Sequence, residues 1–256
     1  YNAYEMTRVI KDEELPPKAK EFRLDLIYVL KVDETLDLEK VSKEYSAIPE
    51  VKGCSPNRIG YKCNVPKTYP NDSLFDWAPN ITQGPEAWTL STGSSADTLA
   101  ILDIDRFNQN HPDLNNNYAG VSGGTDPLGI VTWHGTGCAG HACAEINNRS
   151  GISGSAGGWG TTKGILWMPY RFTSLSNNIT AVSWAVTNGA CVISQSIAFS
   201  GATAGLEDAF ANALANNVLA FAAAGNENNS DLPYPSPAMY SCVVAVGGID
   251  WLDRHW

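Results

Sequence analysis

Hydrophobic residues in this chain fall into short, nearly continuous runs separated by stretches with helical spacing. The runs cover 98–103, Ile165 to Met168, Cys191 to Ser194, Val218 to Ala223 and Val243 to Val246; helical spacing covers 135–147, 178–188 and 204–216. Apolar strands that alternate with helices predict a parallel sheet covered on both faces, a doubly wound α/β architecture. Ahead of them, residues 1–66 read as a small α+β unit. Phe22 to Val32 is a strand-like run, Asp37 is placed to cap a short amphipathic helix reaching Tyr45, and Val51 to Tyr61 returns as a strand broken at Pro56-Asn57. Asn64 to Asn71, with two prolines, reads as a linker. Two domains are expected, over 1–69 and 70–256.

Composition sharpens that division. Residues 1–70 hold 12 of the 17 Lys+Arg and 12 of the 27 Asp+Glu, whereas residues 71–256 carry 5 against 15 and contain all eight tryptophans. The acidic second part lacks the basic footprint that nucleic acid requires. No apolar run approaches the ~18 residues of a membrane-crossing helix. Six cysteines are compatible with a secreted protein. Cys54 and Cys63 could close a small hairpin, and Cys138, Cys143, Cys191 and Cys242 sit in apolar contexts. Asn-x-Ser/Thr triplets begin at Asn71, Asn80, Asn148, Asn178 and Asn228 and are candidate glycosylation acceptors.

The chemistry lies at the carboxyl ends of the predicted strands, where α/β sheets gather their functional groups. Asp103 ends one apolar run, and Asn226 ends Leu219-Ala220-Phe221-Ala222-Ala223-Ala224-Gly225-Asn226. His134 opens His134-Gly135-Thr136-Gly137-Cys138-Ala139-Gly140 at a helix start. Acyl transfer by a serine needs a base, a carboxylate that orients it and donors for the oxyanion. An Asp fixed at a strand end, a His followed by small residues and an amide-bearing Asn supply those types. A metal site drawn from His134, Cys138, His141 and Glu145, at spacings of four, three and four, is the competing reading.

These stretches, with Asn110-His111-Pro112-Asp113-Leu114 and Gly189-Ala190-Cys191-Val192-Ile193-Ser194, resemble the subtilisin-like serine proteases over roughly residues 70–250. The resemblance implies Asp103 as triad carboxylate, His134 as general base and Asn226 as oxyanion donor. It implies that Ser196, Ile197 and Ala198 pair with the substrate backbone, that proteins or peptides are the substrates, and that the protein is secreted. It implies no cofactor beyond a possible structural calcium, for which no ligand set stands out. Residues 1–69 resemble the family's inhibitory propeptide, a partner whose tail, here Asn64 to Pro70, would lie in the substrate cleft and keep an uncut chain a zymogen.

Four features depart from the family's pattern. Asp103 is followed by Ile104-Asp105, and the second carboxylate is expected to raise the pKa of Asp103 or disturb its contact with the His. Gly137 replaces a second His. Ala198 replaces a Gly on the substrate strand. No Gly-Thr-Ser occurs anywhere in the chain, so the nucleophile is expected beyond Trp256. The alternative is a pseudoprotease that kept the fold for binding.

Overall fold

The computed structural model describes residues 5–11, 20–21, 23–57, 66–75, 77–130, 133–226 and 235–255. They form two compact units, Tyr1–Asn64 and Val65–Trp256. In the first, strand β1 (Glu5–Arg8) pairs antiparallel with β2 (Tyr28–Lys31), and helix α1 covers Leu38–Ser46. Asp37 caps α1 as expected, its carboxylate accepting the backbone N–H groups of Glu39 and Lys40 at 3.0 and 3.3 Å. The expected strand over Phe22 to Val32 shrinks to four residues. Arg23 takes the left-handed φ of 57° and starts a single 3-10 turn, Leu24–Leu26, which breaks the extended run. Residues 51–57 form no strand, and 58–61 lie outside the described residues.

The second unit opens with short helices α2 (Trp77–Ile81) and α3 (Gly84–Ala87). There follow β3 (Thr98–Asp103), β4 (Gly123–Gly124), α4 (His134–Cys143), β5 (Gly158–Trp159) and β6 (Thr162–Lys163). Then come β7 (Leu166–Arg171), α5 (Leu175–Thr187), β8 (Val192–Gln195), β9 (Phe199–Ser200) and α6 (Ala204–Ala215). The last strands are β10 (Leu219–Ala223), β11 (Pro235–Ser236) and β12 (Val243–Val246). Six of the strands form one parallel sheet in the order β12-β10-β8-β3-β7-β4.

Strand alternation divides the interior in two. Ala100 and Leu102 of β3 pack with Ala181, Val182 and Phe210 of α5 and α6; Leu99 and Ile101 pack with Ala139 and Cys143 of α4. The α4 side is covered only over part of the sheet. Leu219, Val244 and Val246 remain 40–50% exposed where β10 and β12 turn apolar side chains away from α5 and α6.

The polar expectations fare unevenly. Cys54, Cys138, Cys143, Cys191 and Cys242 are free thiols, so no disulfide forms among the described residues; Cys63 lies outside them. Asn178 is fully buried and its amide nitrogen is engaged, which removes it as a glycan acceptor. The linker segment also departs from expectation. Thr68 donates its N–H to the Pro85 carbonyl at 2.9 Å, Lys67 pairs with Glu86 at 2.9 Å, and the Tyr69 ring meets Phe75 edge-on. These contacts hold residues 67–69 against α3 and Phe75, and none of them is made with Ser196, Ile197 or Ala198.

Candidate active site

Register assembles the site. Leu102 of β3, Gln195 of β8 and Ala222 of β10 lie level across the sheet. Asp103 and Ser196 therefore emerge together at its carboxyl edge, on the α4 side, and the chain reaches Asn226 three residues beyond Ala223. Gly225, at φ +103°, takes a backbone conformation that a side chain would strain, and so turns the chain off β10 at Asn226. Asn226 is exposed and lines a cavity of about 330 Å³ with Ser194, Ser196, Phe221 and Val246.

Asp103 is completely buried, and its Oδ2 lies 2.7 Å from Nδ1 of His134, the first residue of α4. The imidazole is about half exposed, at 48%. Burial pushes the Asp103 carboxyl above its ordinary value. The Asp105 N–H, the His134 charge and the His134 hydrogen bond oppose that rise, and the Asp105 charge adds to it least of all. The disturbance expected from Asp105 does not occur. Its backbone N–H donates to Asp103 Oδ1 at 2.9 Å, and its carboxylate Oδ2 accepts the backbone N–H of His134 at 3.2 Å. Trp133, at the N-cap position of α4, offers no side-chain cap, so Asp105 supplies one from another element and ties both members of the pair together.

Asp105→Ala is accordingly expected to cost about 1 kcal/mol, the worth of a helix N-cap. For a unit of this size that lowers the melting temperature by roughly 2–4 °C. Asp105→Asn, which still accepts, should hold it. A thermal melt in which the alanine variant matches the parent would rule out the capping role.

Other residues of the site were not legible in the sequence. The Arg171 guanidinium, at the end of β7 and in register with Asp103, donates from Nε to the Ile104 carbonyl at 2.9 Å and from Nη1 to that of Thr125 at 3.0 Å, which braces the turn after Asp103. Gly135 is needed for packing, since a Cβ there would meet the Phe107 ring at 3.0 Å; Gly137 faces open space. Cys138 sits one turn along α4, its Sγ 4.0 Å from His134 Nδ1. Burial raises its thiol, and the nearby Ser196 side chain opposes that rise. The four-residue metal set is not assembled. Among the described residues the ligand atoms that converge belong to Asp103, His134 and Cys138, and two of these already bond each other.

The family described as the subtilase family matches residues 94–251. The chain belongs to the subtilase family. Among similar subtilases, a thermophilic serine proteinase from Bacillus sp. (strain AK1) is 34% identical over 233 residues, which are 88% of this chain and 55% of that protein. Thermitase from Thermoactinomyces vulgaris is 36% identical over 196 residues, 72% of this chain and 67% of thermitase. The crystal structure of the psychrophilic subtilisin-like protease Apa1 from Pseudoalteromonas sp. AS-11 superimposes with a TM-score of 0.58 at 26% identity, covering 71% of this chain and 42% of Apa1. The chain thus spans about half the length of the first of these subtilases. No helix among the described residues is long and apolar enough to cross a membrane.

A structural calcium would draw on buried oxygen donors, and among the described residues the buried carboxylates outside the Asp103–His134 pair are Asp72 and Asp113. Asp72 and Asp113 are buried carboxylates joined through the loop 147–153. Asp72 accepts the N–H groups of Asn147 and Asn148 and the Ser153 hydroxyl; Asp113 accepts the Asn148 amide and the Ile152 N–H. Burial raises the Asp113 carboxyl, and the Asp72 charge adds to that rise. Oxygen is the donor type that a hard divalent cation takes, and these two carboxylates would supply two of the roughly six to eight ligands of calcium.

Proposed function

We propose that residues 65–256 belong to the catalytic domain of a serine endopeptidase whose nucleophile is carried by a segment outside these 256 residues. The hydrogen bond between Asp103 and His134 carries this reading. Asp103 accepts from Nδ1, which leaves Nε2 of the half-exposed ring to take the proton of a serine hydroxyl and later return it to the leaving amine. The buried carboxylate holds the ring in that tautomer and stabilises the imidazolium. Asn226, beside the cavity at the same sheet edge, is the donor for the tetrahedral oxyanion. Ser196 to Ala198 pair with an extended substrate backbone. The apolar side chains exposed on β10 and β12 suit a further covering element on the α4 side, where a serine-bearing helix would meet both His134 and Asn226.

Treating the full native protein with a fluorophosphonate probe tests this directly. The expected result is labelling of one serine beyond Trp256, abolished when that serine is replaced. A full-length protein that neither labels nor cleaves peptides favours the pseudoprotease reading. Secretion is part of the same proposal, and finding the protein only inside intact cells would count against it. The first unit is proposed to act as an intramolecular inhibitor. Peptidase activity should then rise when residues 1–64 are lost, and unchanged activity would exclude that role.

Calcium at Asp72 and Asp113 is also proposed, as a structural ion. Chelation should lower the melting temperature by about 5–10 °C, if the ion is present near a hundredfold above its dissociation constant. Without the ion, pH should matter. Asp103, Asp113 and Glu145 all have folded-state carboxyls raised by burial. Above about pH 5 the lowered carboxyls of Glu5, Asp33, Glu86 and Asp250 are ionised in both states, and through the three raised groups the folded chain binds more protons than the unfolded chain. Stability in chelator should therefore fall as pH rises from there through the raised values, and added calcium should flatten the fall. Melting curves that rise with pH in chelator would contradict both points.

A further inference from the structure

The core beneath the 196–198 segment contains two amides where its surroundings are apolar. On β8, Ile193 packs with α5 and α6, whereas Val192 packs on the α4 side. Alternation puts Gln195 beside Ile193, and Gln195 is only 1% exposed. Asn178 of α5, fully buried, donates from Nδ2 to Gln195 Oε1 at 2.8 Å, and Gln195 Nε2 donates to the Ile197 carbonyl at 3.2 Å. The Ile197 carbonyl requires a donor, which fixes the orientation of the Gln195 amide and in turn that of Asn178. Asn178 Oδ1 is buried with no partner among the described residues.

An apolar pair of similar size would fill this space, carry no unpaired group of its own and leave the part-buried Ile197 carbonyl to solvent. Replacing both members of such a pair is generally neutral or stabilising, so stability does not account for the amides. Their common end point does. β8 ends at Gln195 and β9 begins at Phe199, so no sheet ladder holds the three residues between them.

We propose that Asn178 and Gln195 are positioning residues for peptide substrates: by capturing the Ile197 carbonyl on the core side, they turn the backbone groups of Ser196 and Ala198 toward the cleft. The inference rests on the reading of Ser196 to Ala198 as the substrate-pairing segment. In extended backbone, neighbouring residues present their pairing groups on opposite sides, so fixing the middle residue sets both neighbours. The register of β3 and β8 sets Ser196 beside Asp103, and so places the outward-facing side next to His134. α5 thereby acts on substrate register without touching the substrate.

The test uses the full-length protein and the double variant Gln195→Met/Asn178→Leu. Two substrates are compared, an acylated tetrapeptide anilide that needs backbone pairing and a single-residue ester that does not. In the variant, kcat/KM for the tetrapeptide should fall about tenfold more than for the ester, chiefly through KM, with the melting temperature held or raised. Equal falls on both substrates, or no fall on either, would overturn the proposal. If the double variant does not fold, Gln195→Met alone serves for the same comparison. If the parent cleaves neither substrate, the peptidase reading itself fails. Hydrogen exchange at the amides of Ser196 to Phe199 then decides: faster exchange in the variant supports positioning, and an unchanged rate refutes it.

Discussion

Asp103→Asn in the full-length protein should lower kcat by about 10⁴-fold, the loss known when the orienting carboxylate of a serine-protease triad becomes an amide. The amide can donate to Nδ1, which drives the ring proton to Nε2 and removes the base. Stability should move the other way. Asp103 is completely buried, and desolvation is the leading cause of its raised carboxyl. The neutral amide escapes that cost, and the Asp105 N–H can still donate to its oxygen. Measuring kcat on a peptide substrate and the melting temperature on one preparation separates the effects. A variant that loses activity and stability together would mean that Asp103 acts as a structural anchor, and retained activity would remove it from the triad.

Asn226→Ala should cost about 3–4 kcal/mol of transition-state stabilisation, or roughly 10²–10³ in kcat; the magnitude is that established for an asparagine oxyanion donor in a subtilisin. KM should change little, because the ground-state carbonyl gains less from the donor than the oxyanion does. The residue is exposed at the end of a strand, so the fold should be indifferent to the change. A loss expressed in KM with kcat intact would instead make Asn226 a substrate-binding group.

How much of this was legible in the chain depended on the range of the interaction. The apolar run ending at Asp103 became β3 with its expected bounds, since a strand buried on both faces announces itself by composition alone. The cap at Asp37 was equally local. β7 ran on to Arg171, three residues past expectation and through Pro169, because the pairing of β3 with β7 carries it forward. The strand expected at 51–61 failed over its described part, 51–57, where apolar residues are few and no partner strand is in place among the described residues. The roles of Asp105, Arg171 and Gln195 were out of reach for one reason: each depends on a residue that the fold brings near, His134 for Asp105, Ile104 for Arg171 and, as the support of Gln195, Asn178, at 29, 67 and 17 positions. The repulsion expected from Asp105 has the expected sign but is the least of the causes acting on Asp103, and the cap it gives the helix N-terminus is the part the sequence does not show.

β3 is also a partition. Leu99 and Ile101 belong to the core beneath the helix that presents the base, and Ala100 and Leu102 to the core that holds α5 and, through it, the Ile197 carbonyl. On the serine-endopeptidase reading proposed above, this six-residue strand feeds proton transfer from one side and peptide alignment from the other. Catalytic power and substrate choice have separate interior walls, and drift in one wall leaves the other free to change.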